Sequence, residues 1–436
     1  MARTTAVTPE AVGLAGLVLM GVLLALGCPV GLAMMGVGLG GFAILIGPEP
    51  ALRILERAAL ETAGNPGFSV IPLFILMGAL VARAGIGRDL FEAAKRLSGG
   101  RPAGLALAGL GASAGFAAAS GSSLATASAM ARAALPEMRA AGTDPRLATG
   151  VIAAGGTLGI MIPPSIALLL YALVMEQSVG EMFLAGILPG LLGLALYALA
   201  ALAAGRVWQP GGLVDRGQTH TMGGRGALAA IGLFIFVMGG IYAGVFTPTE
   251  AAGAGAASAL VLAAARGLRL SEIRTAFSET VALSATLFVI LIGAEAFGYF
   301  LSVSRLAPAL EAWIEAAGIG PYGLLCAILV FYLLLGCLMD SLAMILLTVP
   351  IFAPLAAAAG FDPVWFGILA VTAVEVGLIT PPVGLNLFVV REAARDLSLG
   401  TIWRGVLPFV LADMVRLAIL VAMPGLALWL PALLHP

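Results

Sequence analysis

The chain has 436 residues, 61% of them hydrophobic and only 10% charged, with a formal net charge of −1. Soluble domains carry about 25% charged residues, so a water-soluble fold is excluded; without excess positive charge, no nucleic-acid partner is expected. Runs of about 20 apolar residues recur from end to end, each able to cross a lipid bilayer, and mark an all-α polytopic membrane protein.

Ten crossings are predicted, over about 11–28, 30–48, 68–83, 148–175, 183–204, 226–245, 249–266, 280–302, 364–390 and 405–430. The first has no clear cleavage site and reads as a retained helix rather than a signal peptide. The short, charged, amphipathic stretches 49–66 and 86–101 read as interfacial arms. Two apolar pairs, about 104–140 and 321–359, carry polar breaks, "ASGSSLATAS" (119–128) and "MDSLAM" (339–344). Each reads as a re-entrant helical hairpin. "TPTE" (247–250) is a helix start with Glu250 in a capping position. Glu295 and Asp413 lie inside apolar spans. Arg416 follows Asp413 on nearly the same helix face, so an ion pair within the bundle or with a partner subunit is expected. Cys28, Cys326 and Cys337 have no metal-ligand spacing and read as small buried apolar residues.

Charge sets the orientation. With the N-terminus outside, segments 83–101, 132–146, 205–225, 266–274 and 391–404 face the cytoplasm and hold 17 of the 22 Lys and Arg. Both termini are then outside.

A repeat runs through the chain. Pro163-Pro164 and Pro381-Pro382 are 218 residues apart; at the same spacing "AAGTDP" (140–145) matches "AAGFDP" (358–363), Gly159 matches Gly377, and Ser122-Ser123 falls on Asp340-Ser341. Five crossings per half place the second copy upside down. The expected units are a first inverted repeat, 1–204, a cytoplasmic linker, 205–225, and a second repeat, 226–436, each with one hairpin and one discontinuous helix.

The proline pairs lie within apolar helices, where each proline costs about 3 kcal/mol. Freed carbonyls are tolerated only inside protein or beside a polar cavity. Helix breaks matched between inverted halves point to an ion and substrate site. Around the first break lie Ser120, Ser122, Ser123, Thr126, Gly155, Gly156, Thr157 and Gly159; around the second, Asp340, Ser341, Thr372, Glu375, Thr380 and Asn386. These hydroxyls and carbonyls are hard oxygen donors of the kind that suit sodium. Asp340 and Glu375 should face a cavity or a partner, with proton coupling through either, or structural hydrogen bonding alone, as the alternatives.

Enzyme motifs fail. "GASAG" (111–115) resembles a hydrolase elbow, but the only histidines, His220 and His435, fall in a predicted loop and at the terminus. "GVGLGG" (36–41) sits in a span with no preceding strand, and no Walker A motif occurs, so no enzyme activity is expected.

"PLFILMGAL" (72–80), "GGTLGIMIPPS" (155–165), "GVFTPTEAA" (244–252), "MDSLAMILLTVPIFAPL" (339–355) and "EVGLITPPVGLNLFVV" (375–390) together resemble the large membrane subunit of TRAP transporters, over nearly the whole chain. The resemblance implies an elevator-type carrier of the ion-transporter superfamily, in which a mobile domain moves against a scaffold. It further implies sodium-driven import of an organic anion, a periplasmic substrate-binding protein and a separate small four-helix membrane subunit. Carried onto this chain, the first ion site uses Ser120, Ser122, Ser123, Gly156, Thr157, Gly159 and Pro163, and the second uses Met339, Asp340, Ser341, Gly377, Thr380 and Pro381. Substrate is expected between the tips, near Ser122, Thr157, Asp340 and Asn386. Competing readings are a stand-alone sodium- or proton-coupled anion carrier of the same superfamily, without a binding protein, and a channel or structural membrane subunit.

Overall fold

The computed structural model describes residues 8–97, 102–208 and 224–434. Helix α1 (Pro9–Ala25) starts at Thr8, whose side chain accepts from Ala11 N, and α2 (Val30–Leu45) follows. The arm α3 (Pro48–Gly64) pairs Arg53 with Glu49 and Arg57 with Glu61 on its exposed face while Ala51, Ala58 and Thr62 turn inward. A 3-10 turn at Pro66–Ser69 leads into α4 (Val70–Arg83); the second arm, α5 (Ile86–Leu97), buries Ile86, Leu90 and Phe91. Helices α6 (Pro102–Ser120) and α7 (Ser123–Ala133) form the first hairpin, followed by the short α8 (Leu135–Ala140). The first broken helix is α9 (Pro145–Met161) and α10 (Ile166–Val174), and α11 (Val179–Trp208) ends the half.

The second half contains α12 (Gly224–Tyr242), α13 (Pro248–Ala265), α14 (Leu270–Ser304) and α15 (Leu306–Ala316). Its hairpin is α16 (Pro321–Gly336) and α17 (Ser341–Ala358), its broken helix α18 (Pro363–Ile379) and α19 (Leu385–Ala393), and it finishes with α20 (Leu399–Ala422) and α21 (Gly425–Leu434). Element starts recur at the expected 218 residues: Val30 and Pro248 open α2 and α13, and Pro145 and Pro363 open α9 and α18. Asp144 and Asp362 cap the latter two alike, each accepting from the amide two residues on. Both proline pairs, Pro163-Pro164 and Pro381-Pro382, are joined by cis peptide bonds. Glu250 closes a capping box with Thr247, as its spacing required.

Three boundaries differ from the sequence reading. The crossing expected at 280–302 runs from Leu270 to Ser304, because the position matching Pro66 is Ser284 and nothing separates arm from crossing. The crossing expected at 405–430 stops at Ala422, before Pro424, and the remainder turns into α21, packed on α11. Helix α11 continues four residues past 204, while 209–223 of the expected linker lie outside the described residues, with His220, Arg101 and His435. Among the described residues, six helical segments are long and apolar enough to cross a membrane, counting α9–α10 as one and the 3-10 turn with α4; one of the six, α17, belongs to the second hairpin.

Two groups of helices result. Helix α9 is buried from Leu147 to Met161 and α18 from Val364 to Ile379; they touch each other and are flanked by α11 and α20. The first hairpin lies on α9 and the second on α18. Outside this group, α14 packs on α2 and α3, and α4 on α13. The outer group meets the inner one where α4 touches α6 and α7, where α14 touches α17, and through the arm α5, which packs on both α6 and α12.

Candidate functional site

The first hairpin turns at Gly121, whose φ of +63° favours glycine, and α7 then starts at Ser122, whose Oγ accepts from Ala125 N. The tip is pinned to the helix break: Ile166 N donates to Gly121 O at 3.2 Å. Thr126 Oγ1 donates to Ser122 O at 2.7 Å and lies 3.0 Å from Ser120 Oγ. Gly159 on α9 faces this cluster. A Cβ there would stand 2.6 Å from Ser122 O and 2.8 Å from Thr126 Oγ1, so only glycine leaves the space. At the break itself, Ser165 caps α10 by accepting from Leu168 N and donates to the freed carbonyl of Ile160. Pro163 and Pro164 are thereby held against the tip.

The second junction copies the first. Asp340 caps α17, accepting from Leu342 N at 3.1 Å and Ala343 N at 3.4 Å, and Ser341 behind it is buried. Gly384 N donates to Cys337 O at 3.2 Å, and the two donors, Ile166 and Gly384, are 218 residues apart. Gly377 lies back to back with Gly336: a Cβ on Gly377 would be 2.6 Å from Gly336 Cα. Thr380 Oγ1 donates to Val376 O at 2.6 Å. Met339 and Asp340 are partly exposed at the tip. Both junctions bring hydroxyl and carbonyl oxygens to a glycine-lined crossing of helix ends, a hard donor set able to take a monovalent cation.

Two residues sit elsewhere than expected from chain position. Asn386 belongs to the first junction despite coming from α19. Its Oδ1 accepts from Ser123 Oγ at 3.2 Å, its Nδ2 donates to Ala153 O at 3.2 Å, and Gly156 makes room for it. Thr157 faces away from the tip toward α11, with Oγ1 donating to Ala154 O and lying 2.9 Å from Tyr197 OH. Tyr197 OH donates to Asp413 Oδ2 at 2.5 Å; Asp413 Oδ1 is 3.0 Å from Arg416, which also pairs with Glu375. All three charged side chains are fully buried. The expected Asp413–Arg416 pair is therefore internal, Glu375 has a partner rather than a cavity, and one polar chain joins the equivalent positions 157 and 375.

A cavity of about 680 Å³ reaches the first tip between the hairpin, α4 and α14. Ser120, Ser122 and Arg132 line its hairpin side, Gly78 and Arg83 its α4 side, and Glu272 and Glu279 its α14 side. Arg83 pairs with Glu279 at 2.6 Å across the mouth. A Cβ on Gly78 would be 2.7 Å from Ser120 O, so this contact between the two helix groups is backbone-close.

Comparison with known proteins places this architecture. Residues 17–426 match the family described as the tripartite ATP-independent periplasmic transporter, DctM component. The chain belongs to that family. It is 36% identical over 395 residues to the C4-dicarboxylate TRAP transporter large permease protein DctM of Pseudomonas aeruginosa, covering 90% of this chain and 92% of that one. It is 33% identical over 417 residues to the sialic acid TRAP transporter large permease protein SiaM of Vibrio cholerae, covering 94% and 96%. Among solved structures, the YdaH transporter of Alcanivorax borkumensis superposes with a TM-score of 0.63 at 17% identity, over 86% of this chain and 89% of that one, a likeness of fold. The chain is thus a multi-pass TRAP large permease.

Proposed function

We propose that this TRAP permease imports an organic carboxylate, driven by sodium, through an elevator movement of the inner helix group against the outer one. The observation that carries the reading is the pair of tip-to-break junctions, Ile166 N to Gly121 O and Gly384 N to Cys337 O, whose donors lie 218 residues apart in the two halves. Each junction holds one hairpin tip and one interrupted helix as a unit, as a mobile carrier of ions and substrate requires. Sodium binds at the first junction among Ser122 O, Thr126 Oγ1 and the carbonyls beside Gly159, and at the second beside Asp340 and Gly377. Helix dipoles and the bound cations balance the carboxylate, since Arg416 is already engaged by Glu375 and Asp413. The carboxylate class follows the substrates for which the two relatives are named.

In this reading the cavity beside the first tip opens toward the arginine-rich, cytoplasmic side, so the structure is the inward-open state. The chain sits in the inner membrane with both termini periplasmic, receives substrate from a periplasmic binding protein, and is braced by a small four-helix subunit. The test is the thermal stability of the purified complex in sodium, potassium and choline at equal ionic strength, with Ser123→Ala and Asp340→Asn beside wild type. Sodium alone should raise the melting temperature, increasingly with concentration, and less in each variant. Equal stability in all three salts would refute sodium coupling and turn attention to Asp340 as a proton carrier.

A further inference from the structure

The cavity at the first hairpin has a polar wall that the repeat does not reproduce. Ser122, Ala125, Ser128 and Arg132 all line it, spaced three to four residues apart, so they form one stripe down α7 from the tip to the mouth. In the second hairpin, 218 residues on, the same stripe reads Asp340, Ala343, Leu346 and Pro350. The tips are both polar, but only the first hairpin carries a cation beyond its tip.

That cation is not committed to a carboxylate. Arg132 Nη1 donates to Ser128 Oγ at 2.6 Å, and among the described residues no acid lies within ion-pair distance of it. Arg83, the other guanidinium on the cavity wall, is consumed by Glu279. Ser122 and Arg132 are ten residues apart on one helix, about 15 Å along its axis. A small carboxylate held at the tip cannot touch Arg132, so this residue does not clamp bound substrate. It stands one step further along the path out.

We propose that Arg132 is a carboxylate-binding station on the cytoplasmic exit path, a specificity-determining residue that receives the substrate's acid group as it leaves the tip. The proposal rests on the reading that this cavity delivers an organic carboxylate inward. A planar guanidinium offers the acid a bidentate contact in place of lost hydration, and the apolar stripe of the second hairpin offers nothing equivalent on the entry side.

The experiment uses the complete membrane complex in vesicles of defined orientation, with succinate and sialic acid as probes and its own binding protein supplied outside. The half-saturating concentration of the transported acid is measured at the cytoplasmic face, by efflux or exchange, for wild type, Arg132→Gln and Arg132→Lys. Arg132→Gln should raise it roughly fivefold to tenfold, with Arg132→Lys in between, while half-saturation by loaded binding protein outside shifts less than twofold. Sodium-dependent thermal stabilisation, measured alongside, shows that each variant is folded. An unchanged cytoplasmic value in Arg132→Gln, or a loss of maximal rate with no change in half-saturation, overturns the station. Wild type that accumulates neither acid overturns the carboxylate reading of the cavity, and the station with it.

Discussion

Arg416→Met removes the one cation from a fully buried cluster of charges. Arg416 is fully buried between Glu375 on α18 and Asp413 on its own helix, with its guanidinium over the Tyr197 ring at 6.0 Å and against Gly193, where a side chain would collide with it. The variant leaves two fully buried carboxylates, with the Tyr197 hydroxyl as the one remaining donor from the network. Breaking a buried ion pair from one side costs about 3–5 kcal/mol, because the surviving charge stays buried and unpaired. Replacing all the charges together removes that penalty, so Arg416→Met with Glu375→Leu and Asp413→Leu should return to within about 2 kcal/mol of wild type. Unfolding of the purified complex in mixed detergent and sodium dodecyl sulfate micelles, followed by tryptophan fluorescence, gives both values on one scale. A single variant within about 1 kcal/mol of wild type, or a triple variant no better than the single, would refute the reasoning.

Other consequences can be checked in the same preparation. Gly377→Ala drives a methyl group into the Gly336 backbone, which cannot yield as a flexible side chain would; stabilisation by sodium should disappear, whereas Gly320→Ala, in open space, retains it on the same thermal assay. Asn386→Leu strips Ser123 of its acceptor and should cost about 1–3 kcal/mol in the micelle titration, with weaker sodium stabilisation of the first junction. Outside the membrane, Arg139 binds Asp396 through two hydrogen bonds, of 3.0 and 2.5 Å, and holds its carboxyl below the usual carboxylate range. The pair's stabilisation is therefore complete above about pH 4 and is lost as pH falls through the depressed value. Asp396→Asn should abolish that acid dependence in melting curves; an unchanged pH profile would show that the pair contributes nothing.

Local signals carried most of the fold. Proline pairs cannot hide in an apolar helix, and caps such as Asp144-Pro145 and Asp362-Pro363 state where a helix begins, so the breaks and the repeat were readable from spacing alone. What was not readable was which face of a buried helix meets which neighbour. On α9, which is buried all round, no amphipathic pattern tells that Gly156 and Gly159 face the hairpin while Thr157 faces Tyr197. Tyr197 itself was missed, although a phenol inside an apolar span needs a hydrogen-bond partner and could have been paired with Asp413 on that ground. Ser165 was passed over as the end of a motif, yet it satisfies the carbonyl that the proline pair frees. Asn386 was legible as a site residue but not as a contributor to the opposite half's junction, because that contact exists only after the two halves intertwine.

The polar chain between positions 157 and 375 also explains why the two halves could not stay chemically identical. It runs from Thr157 through Tyr197, Asp413 and Arg416 to Glu375, and contains a single cation. A glutamate at both equivalent positions would set three carboxylates against one guanidinium in a fully buried site. Each unpaired buried charge destabilises by several kcal/mol, far more than a symmetric sequence gains. Threonine at 157 ends the chain with a neutral hydroxyl that lies 2.9 Å from Tyr197 OH and adds no charge. The two halves keep their symmetry at the junctions, where glycines and carbonyls meet in both, and differ where the central helices meet, with a hydroxyl at 157 and a carboxylate at 375.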